Sequence, residues 1–500
     1  MKQFVIAFLH LLICISGFSQ NTFFKWFETS SHEAAYDAVQ TSKGEYLIVG
    51  EKGIDFYSMH SFILKIGIEG SILDEKEFPC TNCNSRIITI DKLPGSDNRF
   101  LLTGAQDSVS GNYYYSRLFL MIINDSLEII SSKEFFTKKN RRFNPWKTSI
   151  LSESIFYLLT SCDTLSKNRF LGDMEVIKFR IPFDSISSFH HQSNIPSFIP
   201  QDIFFNNRDK TLHVYYFGND MSKRSSTIKV LKLSEDLEYI SCEHIPGDIF
   251  VNVSASKIND SLSYVTGVNH TTITETYRDI GCYLLNDANG IIKSIEFFND
   301  PDTLIYSGRG GYCLLTNTQT LHAFIISIYN LDIGEYPWQT TPAWIQITRT
   351  DFDLNIIDHH FYGGDASYMV YSTKPTCDGG SFITGFRYDY QNQGNQQHDI
   401  FILKTDSAGR LTDVPEISKE LVSEAILAPT PGMDYCFAIV AQQYQSVNLL
   451  IYNINGIPVI DQLLHGPITK ITTDNLPKGI YLYKFFDGNK VIGTGKWIKL

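Results

Sequence analysis

Apolar residues arrive along this chain in short bursts rather than at helical spacing, and the bursts repeat. EYLIVG (45–50), SFILKI (61–66) and SILDEKEF (71–78) form a first set separated by polar residues. RFLLTG (99–104), RLFLMII (117–123) and LEIISSKEF (127–135) follow in the same order, then IFYLLTS (155–161) with MEVIKF (174–179). The next sets are LHVYYFG (212–218), IKVLKL (228–233) and LEYISCEHI (237–245), then LSYVTG (262–267), GCYLLN (281–286) and GIIKSIEFF (290–298). GYCLLTN (311–317) with WIQITRTDFDL (344–354) makes a sixth, and SFITGF (381–386) with DIFILKTD (399–406) a seventh. Continuous apolar runs suit strands covered on both faces, and the alternating third run suits one covered face.

A further alternating stretch precedes the first run, as in AAYDAVQT (34–41). Each copy, about 55 residues long, thus predicts four antiparallel strands, the content of one propeller blade. The expected fold is all-β: a seven-bladed β-propeller over 20–413, with a six-bladed ring and an open solenoid as rivals. Glycines 50, 104, 218, 267 and 385 close the first runs and are expected to allow sharp exits. In the last copy Pro415 interrupts the outer strand, because proline removes a ladder donor. FFKWFETS (23–30) belongs to no other copy and is expected to be the outermost strand of the seventh blade, closing the ring.

The first residues carry a different signal. Met1 and Lys2 precede an apolar run at 4–15, and Gly17 and Ser19 place small residues before a cut at Gln20. Residues 1–19 therefore read as a secretory signal peptide, too short for a membrane span of about 20 residues. No later stretch suits a transmembrane anchor. The net charge is −12, which argues against nucleic acid and anionic lipid partners. In an oxidising compartment Cys80 and Cys83 are candidates for a local disulfide.

After a linker at 414–420 the repeat stops. YCFAIV (435–440), SVNLLIYNINGIPV (446–459) and a long final segment alternate, with turns at Asn455-Gly456 and Asp487-Gly488, predicting a small β-sandwich over 421–500. This tail resembles the C-terminal sorting domain of type IX secretion. The resemblance rests on YNINGIPV (with Asn455 and Gly456), on NLPKGIYLYKF (with Leu476, Pro477, Gly479 and Tyr481), and on DGNKVIGTGKWIKL (with Gly488 and Lys496). The family's Tyr-Pro-Asn-Pro-like opening is replaced by Ala428-Pro429-Thr430-Pro431. The resemblance implies the type IX secretion machinery as a partner, and a route through periplasm and outer membrane to the medium or cell surface. The segments DGGSFITG and DIFILKTDSAGRL likewise resemble propeller-like repeats of secreted Bacteroidetes-type proteins, which implies a fold and not an activity.

Catalytic motifs are lacking: neither His-Glu-x-x-His, Gly-x-Ser-x-Gly, a phosphate loop nor a calcium loop occurs. No cofactor or metal is expected. Thr376–Phe382 is similar to a sialidase Asp box with its aromatic one place early, and is expected to be a hairpin. His190-His191 and His359-His360 would point to opposite faces of a strand and cannot each chelate one metal. Loops between second and third strands share one face and carry aromatics: Tyr57, Tyr114, Tyr277, Trp338, Trp344 and Tyr390. Aromatic groups with polar edges suit a glycan or protein ligand. The leading expectation is a non-catalytic binding module; the alternatives are a carbohydrate-active hydrolase or lyase and a structural or adhesive surface component.

Overall fold

The computed structural model describes residues 21–54, 58–80, 83–110, 113–136, 141–166, 169–171, 173–191, 198–220, 225–245, 247, 249–259, 261–269, 279–286, 288–297, 305–306, 315–317, 322–329, 341–391, 397–411, 425–428, 432, 435–440, 447–464, 468–488 and 490–499. Within them every regular element is a strand. The leader at 1–19 and the linker at 414–420 lie outside the described residues.

Seven antiparallel sheets share one plan, four strands in up-and-down order. The first comprises His32–Gln40, Tyr46–Gly53, His60–Ile66 and Ile72–Phe78, and the second Asn84–Lys92, Arg99–Ser110, Tyr113–Asn124 and Ile129–Phe136. The third comprises Arg141–Ile150, Ile155–Ser166, Met174–Arg180 and Asp184–His191, with Arg169–Leu171 added beside its second strand. The fourth comprises Phe198–Asn206, Thr211–Asp220, Ser225–Ser234 and Tyr239–His244, and the fifth Ile249–Lys257, Leu262–Asn269, Asp279–Asn286 and Ile291–Phe297. Ile305–Tyr306, His322–Tyr329, Trp344–Asp351 and Ile356–Gly363 form the sixth, where Leu315–Asn317 pairs as a short extra strand. The seventh is Ser367–Pro375, Ser381–Tyr388, His398–Thr405 and then Phe23–Phe27.

That last pairing runs Phe23 opposite Lys404 through Phe27 opposite Ile400, so both ends of the repeat region share one sheet. In the sixth copy the expectation needs correction. Its long second strand is His322–Tyr329, not the run at 311–317, because HAFIISIY supplies the continuous buried apolar stretch.

Apolar clusters join each sheet to the next. Ile48 and Phe62 of the first pack with Ile400 and Ile402 of the seventh, and Leu47 and Ile63 of the first pack with Phe100 and Leu102 of the second. The succession continues through the third, fourth and fifth sheets, and one cluster then unites fifth, sixth and seventh. The contacts therefore return to their starting point.

The glycines that end the first apolar runs do not mark exits, since their strands continue past them. A Cβ on Gly50 would lie 1.9 Å from the Ala34 carbonyl oxygen, and one on Gly385 1.9 Å from that of Met369. Each faces a register shift in the innermost strand, at Ala35/Asp37 and at Val370/Ser372. Such bulges bring the backbones together and re-aim the side chain that follows.

The C-terminal residues form two further sheets: Ala425–Ala428, Tyr435–Val440 and Ile468–Thr472; and Pro458–Leu464, Val447–Asn453, Gly479–Asp487 and Lys490–Lys499. They share one core, in which Cys436, Ala438 and Ile471 of the first sheet meet Leu449, Ile451, Phe485 and Trp497 of the second.

Candidate functional site

Bulges recur in the innermost strands of the first five sheets and the seventh. The residues just after them include Asp37, Thr89, Lys147, Asp202, Ser254 and Ser372, all polar; the inner strand of the fifth sheet has a second shift, at Ile249/Val251. Asp91, Thr148 and Lys374 lie beside them.

Asp37 holds the centre. It is 4% exposed, and its carboxylate accepts the Ser372 hydroxyl at 2.6 Å and the Ile90 backbone N–H at 3.1 Å. Lys374 Nζ lies 3.0 Å from it and 4.0 Å from Asp91, whose carboxylate also accepts the Thr148 hydroxyl. Burial alone would raise the Asp37 carboxyl, but Lys374 and Lys147 hold it below the ordinary carboxylate range. Asp91 is pushed up, by burial and by the neighbouring Asp37. Burial also raises Asp202, whose carboxylate accepts the Ile203 N–H at 2.8 Å and the Ala255 N–H of the next sheet at 2.9 Å.

These bonds cross between sheets: Asp37 ties the seventh, first and second together, and Asp202 ties the fourth to the fifth. A carboxylate that accepts backbone N–H groups in this way is costly to remove and poorly placed to exchange protons with a substrate. Among the described residues no group of three or more His, Cys, Asp or Glu is arranged to hold a metal. No helix among them is long and apolar enough to cross a membrane.

The expected aromatic face fares unevenly. Tyr57, Tyr277 and Trp338 lie outside the described residues; Tyr114 sits in Tyr113–Asn124, with its side chain outside them. Trp344 is a correction: it is 1% exposed, at the start of an inner strand, with its ring 6.0 Å from that of Tyr329. Gly364 packs on the indole so closely that a Cβ there would lie 2.1 Å from Nε1. Tyr390 is half-buried in a turn after Ser381–Tyr388, and burial pushes its hydroxyl up to about 12. Nearby, Tyr435 of the C-terminal sheets donates to the Asp365 carbonyl at 3.1 Å, and Lys470 reaches Gln391 at 2.5 Å.

Thr376–Phe382 forms a hairpin turn, with the Gly379 N–H bonded to the Thr376 carbonyl at 2.9 Å and Asp378 paired with Lys404 at 2.8 Å. His359 bonds Thr348 while His360 faces Asp358, the opposed directions that a strand imposes. Cys80 and Cys83 form a disulfide, and Cys282 and Cys436 are buried.

In the C-terminal sheets the motif residues occupy turns and core. Asn453 Oδ1 accepts the N–H groups of Asn455 and Ile457, and Gly456 takes a positive φ of 77°. Gly488 also has a positive φ, 58°. Leu476 packs on the shared core, and Tyr481, just after Gly479, donates to the Pro477 carbonyl at 2.7 Å. Lys496 Nζ is shielded, and burial lowers its pKa.

No protein-family model matches the sequence, and no curated protein matches it. Among solved structures, the β-propeller domain of the Trilobed protease from Pyrococcus furiosus is similar over 76% of this chain and 97% of its own, at 8% identity and TM-score 0.41. Pyrococcus horikoshii acylaminoacyl peptidase matches 83% of this chain and 59% of its own, at 9% identity and TM-score 0.41. A putative exo-beta-1,3-galactanase from Bifidobacterium bifidum s17 matches 53% and 87%, at 12% identity and TM-score 0.31. Likenesses this distant carry no argument about activity.

Proposed function

We propose that this chain is an exported recognition protein: a seven-bladed propeller closed by its N-terminal strand, followed by a β-sandwich that serves as a type IX sorting domain. The ring binds a glycan or protein at the cell surface or in the medium and does not turn it over. One observation carries the non-catalytic reading. The two carboxylates that follow the bulges are already engaged, Asp37 by Ser372, Ile90 and Lys374, and Asp202 by backbone N–H groups of two sheets. A glycosidase instead needs two carboxyl groups free to face a bond.

The test is to incubate the purified chain with panels of oligosaccharides and surface proteins, scoring retention and product separately. Retention without product is expected. Turnover that disappears in Asp91→Asn would favour the hydrolase reading, since Asp91 is a carboxyl held above its usual range beside a lysine. For export, deletion of 421–500 is expected to strand the protein in the periplasm of a host with the type IX pathway.

A further inference from the structure

Antiparallel order places the loops joining strands two to three, and the connections from each sheet to the next, on one end of every sheet, opposite the hairpins. Gln391 follows the second strand of the seventh sheet, and Asp365 lies in the connection from the sixth sheet to the seventh. Both therefore belong to the loop face. On it rests the C-terminal sandwich: Tyr435 donates to the Asp365 carbonyl at 3.1 Å, and Lys470 Nζ donates to Gln391 Oε1 at 2.5 Å. Leu411, the last described residue before the sandwich, follows the turn Asp406–Arg410 at the hairpin end of the seventh sheet. The sandwich is thus held by contacts on the face opposite the one where that turn lies, and chain order alone does not place it there.

The side of the sandwich that makes these contacts is apolar as well as polar. Along Tyr435–Val440, the side chains of Cys436, Ala438 and Val440 belong to the core between the two C-terminal sheets. Alternation turns Tyr435 and Phe437 the other way, and Lys470 stands opposite Phe437 on the neighbouring strand. Phe437 is 6% exposed although it lies outside that core, so this second side is covered too. The Lys470 ammonium lies 4.2 Å from the centre of the Tyr435 ring, an attraction that holds the two contacting side chains together.

The seat on the seventh sheet is fixed from below. The Asp365 carboxylate accepts from Arg387 at 2.9 Å and from the Tyr368 hydroxyl at 2.6 Å, which aims its backbone carbonyl at Tyr435. The Arg387 guanidinium in turn lies 4.7 Å over the Trp26 ring of Phe23–Phe27. Burial and the nearby Asp365 push the Tyr435 hydroxyl up, so it stays a donor at pH 7. Tyr390, a candidate ligand residue of the loop face, is half-buried beside this seat.

We infer that the C-terminal sandwich is a cap: docked through Tyr435 and Lys470, it occupies the seventh sheet's share of the loop face and competes with the ligand for it. A tethered partner acts at an effective concentration of roughly millimolar, so few contacts keep it seated. Ligand then binds with an affinity reduced by the fraction of molecules whose cap has lifted. The inference rests on the recognition reading and adds its regulation, since capture at the seventh sheet is full only once the sandwich has left its seat.

The test compares the full mature chain with its double variant Tyr435→Phe, Lys470→Ala. The first change keeps the ring and loses the donor to Asp365; the second removes the contacts with Gln391 and with the ring. Both positions lie outside the sandwich core. Small-angle scattering reads whether the sandwich has lifted, and the oligosaccharide and surface-protein panels read capture. The variant is expected to show a larger radius of gyration and at least threefold stronger retention than the native chain. An unchanged scattering profile, or an expanded variant that retains ligand no better, overturns the cap, and in both cases retention by the native chain leaves the recognition reading standing. If neither chain retains anything on either panel, the recognition reading falls and the cap with it.

Discussion

Lys25 Nζ donates to the carbonyl oxygen of Glu69 at 2.7 Å, joining the N-terminal strand to the hairpin between the third and fourth strands of the first sheet. Lys76 makes the matching bond to Leu127 of the second sheet at 2.8 Å, and Lys133 to Phe183 of the third at 3.0 Å. Lys76 and Lys133 belong to fourth strands. Lys25 thus behaves as a fourth-strand residue, as its pairing with the seventh sheet requires.

Phe23 anchors this closure: it is 7% exposed, with ring centroids 6.3 Å from both Tyr46 and Phe382. Phe23→Ala is expected to cost about 3–4 kcal/mol, as for other buried aromatics cut to alanine. The denaturant midpoint should fall with little change in slope.

Leu127, Leu237 and Leu354 occupy the same hairpin position as Gly70 and Gly409, with positive φ of 60°, 68° and 58°. The left-handed conformation costs roughly 1–2 kcal/mol for a residue with a Cβ, and each leucine offsets it by burial between sheets. Leu354→Gly is therefore expected to destabilise by only about 1–3 kcal/mol, and Leu354→Ala, which keeps the strain, by more. Equal losses in chemical denaturation would show that backbone strain has no part in it.

The repeat, the strand at 23–27 and the tight turns were legible because apolar bursts and Asn-Gly or Asp-Gly pairs report local geometry. The leucine hairpins were not, since Leu127 reads as one more strand residue. Nor was the polar set around Asp37, because a bulge breaks alternation at the position that matters. Aligning the copies on Asp37, Thr89, Lys147, Asp202, Ser254 and Ser372 would have exposed it. Trp344 misled for another reason: aromatics at the start of an inner strand and in a long loop look alike in sequence.

Asp37→Ala removes the acceptor of the Ile90 N–H and leaves Lys374 without its nearest carboxylate. Breaking a buried pair from one side costs about 3–5 kcal/mol. Asp37→Asn, which can still accept the Ile90 N–H, is expected to lose less, in thermal melts at pH 7.

Glu33 and Asp399 sit where the first sheet meets the seventh. Burial raises Glu33 to about 7, and Asp399 to about 6. Both values lie above those of the unfolded chain, so the folded protein binds more protons. The contribution is full below about pH 4 and is lost as pH rises through 6 and 7. Stability is expected to fall between pH 5 and 7.5 by an amount on the order of 2 kcal/mol for Glu33. Glu33→Gln should flatten the dependence; an unchanged profile in that variant would place its origin elsewhere.

Closure by the N-terminal strand is the claim on which the rest depends, and hydrogen exchange of the peptide spanning 22–29 tests it most directly. The account predicts slow exchange, with protection lost at the same denaturant concentration as in 398–405. Complete exchange of 22–29 within seconds, while 398–405 stays protected, would contradict it.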